Sequence, residues 1–223
     1  MSIVLVIIGL IIGGILKGQE VIAQARQKAL INQVNAVRSA AGTYFDRYRA
    51  LPGDDPSATT QLNADVAAGD GDGIVGTNNT NVAGILAQDS STGEPYEFFN
   101  GLMASNLLNG GQVLPAASAA AFGTSALPAS PITGAGLTVA YGTIAGDTAA
   151  YDATNHWLNI HKGIAANTPA VSPRTLLNID VQTDDGQAQR GGVRSDGSTG
   201  CGAANTYALS DDALCVPMFQ VTQ

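Results

Sequence analysis

Residues 1–16 read MSIVLVIIGLIIGGIL, and no charged side chain interrupts them. As a helix this run measures about 24 Å, short of the ~20 residues that a full membrane span takes. Gly18 and the Val21–Ile22 pair prolong the weakly polar stretch, and Lys17 can lay its stem along it with the ammonium in water. Three readings compete: the apolar region of a cleaved secretory signal, a single-span anchor, or a helix that also packs against identical helices. Against the first, no small-residue cleavage site follows Leu16 and the helical pattern continues.

The continuation supports one long helix. Val34, Val37, Ala41, Tyr44 and Tyr48 recur at spacings of 3, 4, 3 and 4, which lines one helical face with apolar side chains. No proline precedes Pro52, and Gly42 is the one glycine between Gly18 and Gly53. The pattern predicts a helix of about 48 residues, near 70 Å long, apolar all round in its first half and one-sided in its second. The bare half suits lipid or copies of itself; the one-sided half suits docking on its own domain through Val34, Val37, Ala41, Tyr44 and Tyr48. Gly9 and Gly13 form a small-xxx-small pair that lets helix backbones approach closely.

The charge is segregated. Residues 17–49 carry six basic and two acidic side chains, a net of +4, while residues 50–223 carry four basic and sixteen acidic, a net of −12. The acidic part repels phosphate backbones, so no nucleic-acid partner is expected for it. Gly and Pro number 27 and 9, which favours turns and loops after the first third. Cys201 and Cys215 have no further Cys or His at zinc-finger spacing. A pair of cysteines in a loop-rich, exported-looking domain reads as a disulfide; two free thiols are the alternative.

With these residues in view, IVLVIIGLIIGGILKGQEVI (3–22) resembles the helix start of type IV pilins and of the pseudopilins of type II secretion. In that family a prepilin peptidase cuts just before a segment of the type FTLIE, and the new terminal residue is methylated. The chain begins directly after where that segment would stand, so the segment is expected upstream of Met1. YRALPGDDPSA (48–58), GDGDGIVG (69–76), GEPYEFFNGLMASNLL (93–108) and IDVQTDDGQAQRGGVRSDG (179–197) resemble recurring segments of a less characterised branch of prepilin-type proteins.

The resemblance implies an α+β fold, a long N-terminal helix on a mainly antiparallel sheet with long loops. Residues 1–50 would be the membrane and filament-core helix and residues 51–223 the extracytoplasmic domain. It implies a structural filament subunit held in the inner membrane before assembly. Its partners would be identical subunits and the pilus or secretion assembly machinery. Ile3, Val4, Val6, Ile7, Gly9, Leu10, Gly13, Gly14 and Leu16 would carry the membrane and filament contacts. A C-terminal disulfide-bounded loop is common in pilins, and Cys201 and Cys215 sit where one is expected. The alternatives are a minor pseudopilin and a monomeric membrane-anchored binding module.

In the rest of the chain, Leu51-Pro52-Gly53 ends the long helix. Residues 57–92 read as a long surface loop. Glu94–Leu108 reads as a second helix ending at Asn109-Gly110-Gly111, and residues 113–133 as irregular. Leu137–Tyr141 and His156–His161 alternate like paired strands. Ser172 and Pro173 read as the N-cap and first residue of a short helix. Gly191–Arg194, Tyr207–Leu209 and Val216–Val221 are further extended candidates.

The chemistry-bearing residues are few. Asp70 and Asp72 in GDGDG place oxygens at alternate positions with glycine for the turn, the start of a calcium loop. Asn81 stands where an EF-hand needs its twelfth-position Glu, which rules that motif out. An irregular calcium site and a solvated Asp-Gly turn remain, and the turn is preferred; Asp184-Asp185-Gly186 invites the same pair of readings. His156 and His161, five apart, point to opposite faces of a strand, so packing or solvent is preferred over a shared zinc or a catalytic role. No G-x-S-x-G, H-E-x-x-H or Walker A segment occurs, so no enzyme activity and no other cofactor is expected.

Overall fold

The computed structural model describes residues 2–76, 93–115, 122–125, 127–144, 154–163, 168–198, 200–203 and 205–221. The expected long helix is present as α1 (Ser2–Tyr48). It stops through Arg49, whose φ of 59° is left-handed and whose amide still donates to the Phe45 carbonyl at 2.8 Å. Pro52 and Gly53 then turn the chain back. Gly53 has a φ of 89°, and a Cβ there would collide with the Glu94 carbonyl and the Phe98 amide. The turn is thereby seated on α3 (Glu94–Ala104).

α3 is shorter than the sequence pattern suggested. It ends at Ser105, and Asn106 takes a φ of 57°, so the reversal comes before Asn109-Gly110-Gly111. The last helix, α4 (Pro173–Thr183), begins as expected: the Ser172 hydroxyl accepts from the Thr175 amide at 3.2 Å. It runs past Asp180 to Thr183, whose hydroxyl donates to the Ile179 carbonyl at 2.8 Å, and it buries Leu176, Ile179 and Asp180 at helical spacing.

The main sheet is antiparallel, with strand order β1-β2-β6-β3. β1 (Ala135–Gly142) pairs with β2 (Asn155–Lys162) in the register Leu137 to Ile160 and Val139 to Leu158. β6 (Pro217–Gln220) lies between β2 and β3 (Val193–Ser195). A separate hairpin, β4 (Gly202–Ala203) with β5 (Thr206–Tyr207), holds one pairing that alternation did not predict. The fold is therefore α+β, a long N-terminal helix with a small antiparallel sheet.

One face of the sheet presents Leu137, Val139, Leu158, Ile160, Val193 and Phe219 to the main core. Leu30, Val34, Val37, Ala41 and Tyr44 of α1 and Phe98, Phe99 and Leu102 of α3 complete that core, with Tyr48 partly buried against it. Trp157, Ala140 and Met218 on the opposite face form a smaller cluster with Ile144 and Val216. The second half of α1 is thus part of the packed domain, and that body starts at Leu30. Arg38 adds a polar tie, its Nε donating to the Gln220 carbonyl at 2.7 Å.

The segment read as a surface loop is corrected in its first part. Residues 58–61 form a single helical turn, α2 (Ala58–Gln61), and Val66 and Val75 are buried. Carboxylates hold the segment down, as described below. Residues 77–92 lie outside the described residues.

Candidate functional site

The candidate feature with the largest extent is the free half of α1. Residues 4–26 are all exposed, and as a helix they extend about 35 Å. Leu5 is 72% and Leu10 76% exposed, and Val4, Val6, Ile7, Ile11, Ile15 and Leu16 are also exposed. This helix is long and apolar enough to cross a membrane by length and composition. Ile3 lies in the same helix, its side chain outside the described residues. Gly9, Gly13 and Gly14 are exposed, and a Cβ added at any of them would meet nothing within 4 Å. Within this chain their small size serves no contact. Lys17 and Glu20 form an exposed ion pair on this half, at 2.6 Å.

Val34, Val37, Ala41 and Tyr44 are buried, and Tyr48 is half-buried with its ring 4.5 Å from that of Tyr44. Arg47 lies over the Tyr48 ring at 5.6 Å. The Tyr44 hydroxyl donates to Asp55 Oδ2 at 3.0 Å, and Asp55 Oδ1 accepts from the Ser57 amide at 2.8 Å. Burial and the Asp55 charge push the Tyr44 hydroxyl far above its ordinary pKa, so it stays a donor.

Of the two proposed calcium ligands, Asp70 joins a carboxylate group and Asp72 does not. Asp70 lies with Asp54 and Glu94, one oxygen from each within 4.8 Å of the others. Asp54 is 3% exposed; its Oδ1 accepts from the Gly71 amide at 2.8 Å and its Oδ2 from the Gly73 amide at 3.0 Å. Glu94 accepts from the amides of Asp70 at 3.0 Å and Gly76 at 2.8 Å. Burial raises the pKa of both carboxyls, and these amides work against the rise. The GDGDG segment is therefore laced to the helix exit and to α3 through backbone amides. Asp72 makes a local turn, accepting from the Ile74 amide at 2.8 Å. Sequence spacing missed Asp54 and Glu94, which stand 16 positions before and 24 after Asp70. Their neighbours Pro56 and Pro95 marked the turn and the helix start, not the convergence.

Asp184-Asp185-Gly186 also forms a turn, with Asp185 Oδ1 accepting from the Gln187 amide at 2.9 Å and Gly186 at a φ of 74°. Asp184 Oδ2 reaches across to the amides of Gly192 and Val193, fixing the start of β3. The two histidines are buried apart. His156 Nε2 accepts from the Val75 amide at 3.1 Å, and its ring lies tilted against Tyr141, centroids 4.7 Å apart. His161 Nε2 bonds the Thr138 hydroxyl at 2.9 Å, on the other side of β2.

Cys201 and Cys215 are joined in a disulfide, their Cα atoms 4.9 Å apart and both side chains buried. The Cys215 carbonyl accepts from the Ala170 and Val171 amides, so the bridge ties the β4–β5 hairpin to the start of α4.

Comparison of the chain with protein-family models, curated proteins and solved structures finds no match.

Proposed function

We propose that the chain is a structural subunit of a type IV pilus or pilus-like filament. Subunits wait in the inner membrane on the free half of α1. They are then stacked by that half into an extracellular filament that carries the acidic domain outside. The observation behind this reading is the division of α1 at about Leu30: one half is core, and the other offers exposed apolar side chains on every side with no partner among the described residues. An apolar surface of that extent calls for lipid or protein cover.

Two features argue for helix-on-helix cover in addition to lipid. Gly9 and Gly13 cost about 1 kcal/mol each in helix propensity, and no neighbour in this chain requires them. Close approach of an identical helix does require them. Bare domains with a net charge of −12 over residues 50–223 repel one another, which leaves the helix as the association surface. The disulfide suits an oxidising, extracytoplasmic setting. The resemblance of residues 3–22 to the pilin helix start joins these features into one reading. The role requires no catalytic residue and no cofactor.

Electron microscopy of material sheared from cells producing the chain tests the reading. Filaments containing the chain are expected, and Gly9→Leu or Gly13→Leu should abolish them while the domain stays folded. If the wild type yields only membrane-bound monomers, an anchored binding module replaces the filament. Normal filaments from both variants would sink the close-packing argument.

A further inference from the structure

α4 ends in an arrangement that its own electrostatics disfavours. Asp180 lies in its last turn, Asp184 is the C-cap, Asp185 follows, and the last turn holds no basic residue. A helix C-terminus carries about half a negative charge, so carboxylates there are repelled and cations attracted. One oxygen from each of the three aspartates lies within 4.8 Å of the others.

Asp180 supplies a second, independent observation. Its side chain is 0% exposed; Oδ2 accepts from the Tyr207 hydroxyl at 2.8 Å, the Gly186 amide also favours the charged carboxyl, and Oδ1 is buried with no close hydrogen-bond partner among the described residues. A buried carboxylate oxygen left alone is costly, and a bound cation is a common remedy. Arg38 offsets part of the charge, since Asp184 acts on its guanidinium. That guanidinium is committed to the carbonyls of Gln220 at 2.7 Å and Gly192 at 3.5 Å. The first acidic group differs, because Asp54 and Glu94 each engage both oxygens with backbone amides.

We propose that Asp180, Asp184 and Asp185 bind a hard divalent cation of the calcium class, clamping the end of α4 to the start of β3 and to the β4–β5 hairpin. The donors are all oxygen, which favours calcium or magnesium over zinc or copper. Asp184 holds the Gly192 and Val193 amides and Asp180 holds Tyr207 of the hairpin, so an ion between them joins three pieces of backbone. The inference does not depend on filament assembly.

Thermal unfolding of the full-length chain in non-ionic detergent tests it, in calcium chloride and in EDTA at matched ionic strength. Saturating calcium should raise the midpoint by roughly 5–10 °C. The rise should persist in Asp70→Asn and disappear in Asp185→Asn, an exposed change that keeps an oxygen for the Gln187 amide. Asp180→Asn, which keeps an acceptor for Tyr207, should also lose it. No rise in the wild type, a rise that survives Asp185→Asn, or a rise lost in Asp70→Asn would each overturn the proposal.

Discussion

The hydroxyl of Tyr44 donates to the carboxylate of Asp55 at 3.0 Å where α1 meets the domain, and both side chains are buried. This bond links the last core turn of the helix to the chain reversal that follows it. Tyr44→Phe keeps the ring against Tyr48 and removes only the donor. Asp55 Oδ2 then loses this bond in a buried position, at a cost of about 2 kcal/mol. Urea denaturation should show a lower midpoint with an unchanged slope. An unchanged midpoint would mean that water replaces the hydroxyl without loss.

His156 should make the domain acid-sensitive. Burial pushes its pKa down to about 4 from 6.5, against a smaller opposing pull from Asp72. Its Nε2 accepts from the Val75 amide, so protonation there sets donor against donor. The folded state thus binds fewer protons than the unfolded chain. The histidine's contribution is complete above about pH 6.5 and is lost as pH falls towards 4. Between pH 7 and 5 the loss is about 2 kcal/mol. Asp180 acts in the opposite sense: burial raises its pKa to about 6, so its folded state gains relative stability as pH falls through that value. The comparison therefore has to be between variants. In EDTA, His156→Gln should show a smaller pH 7-to-5 loss than the wild type by about that amount; equal losses would refute the assignment.

Periodicity made the three longer helices and the β1–β2 pair legible, and the single turn α2 was missed. The 3-and-4 spacing from Val34 to Tyr48 set the docking face, and the alternation from His156 to His161 set the strand. Segments held by side-chain-to-backbone bonds were not legible in that way. The amides of Gly71 and Gly73 bond to Asp54, 17 and 19 positions earlier, and such bonds leave no repeat in the sequence. Residues 69–76 therefore read as solvated loop, although Val75 is buried. The convergence of Asp180 with Asp184 was hidden for a different reason. Asp180 falls on the buried side of α4, where the pattern of Leu176 and Ile179 calls for an apolar residue. A carboxylate at an apolar position was the available signal.

The disulfide closes a segment with a sequence separation of 14, which on the chain-entropy argument stabilises the fold by about 3 kcal/mol. Cys201→Ser with Cys215→Ser should lower stability by that order, with the largest gain in hydrogen exchange at the β4–β5 hairpin. Alkylation followed by intact-mass measurement checks the bridge itself. Two alkylated thiols in unreduced protein would contradict it.

The division of α1 makes a prediction about where the chain can be cut. Removing residues 1–22 takes away exposed apolar side chains and leaves every core residue of the helix, because burial begins at Leu30. The product should be soluble, folded and monomeric, its copies kept apart by the net negative charge of residues 50–223. Removing residues 1–48 also takes Leu30, Val34, Val37, Ala41 and Tyr44, all buried in the main core. Each large apolar side chain lost from a core costs about 1.5–3 kcal/mol in burial alone. Four or five such losses match the whole stability of an ordinary domain, about 5–15 kcal/mol. The deeper cut should therefore give an unfolded or aggregated product. Sedimentation velocity with circular dichroism on both truncations decides the matter. A stable oligomer from the shorter cut would mean that the domain carries its own interface, and a folded monomer from the deeper cut would mean that the helix is not part of the core.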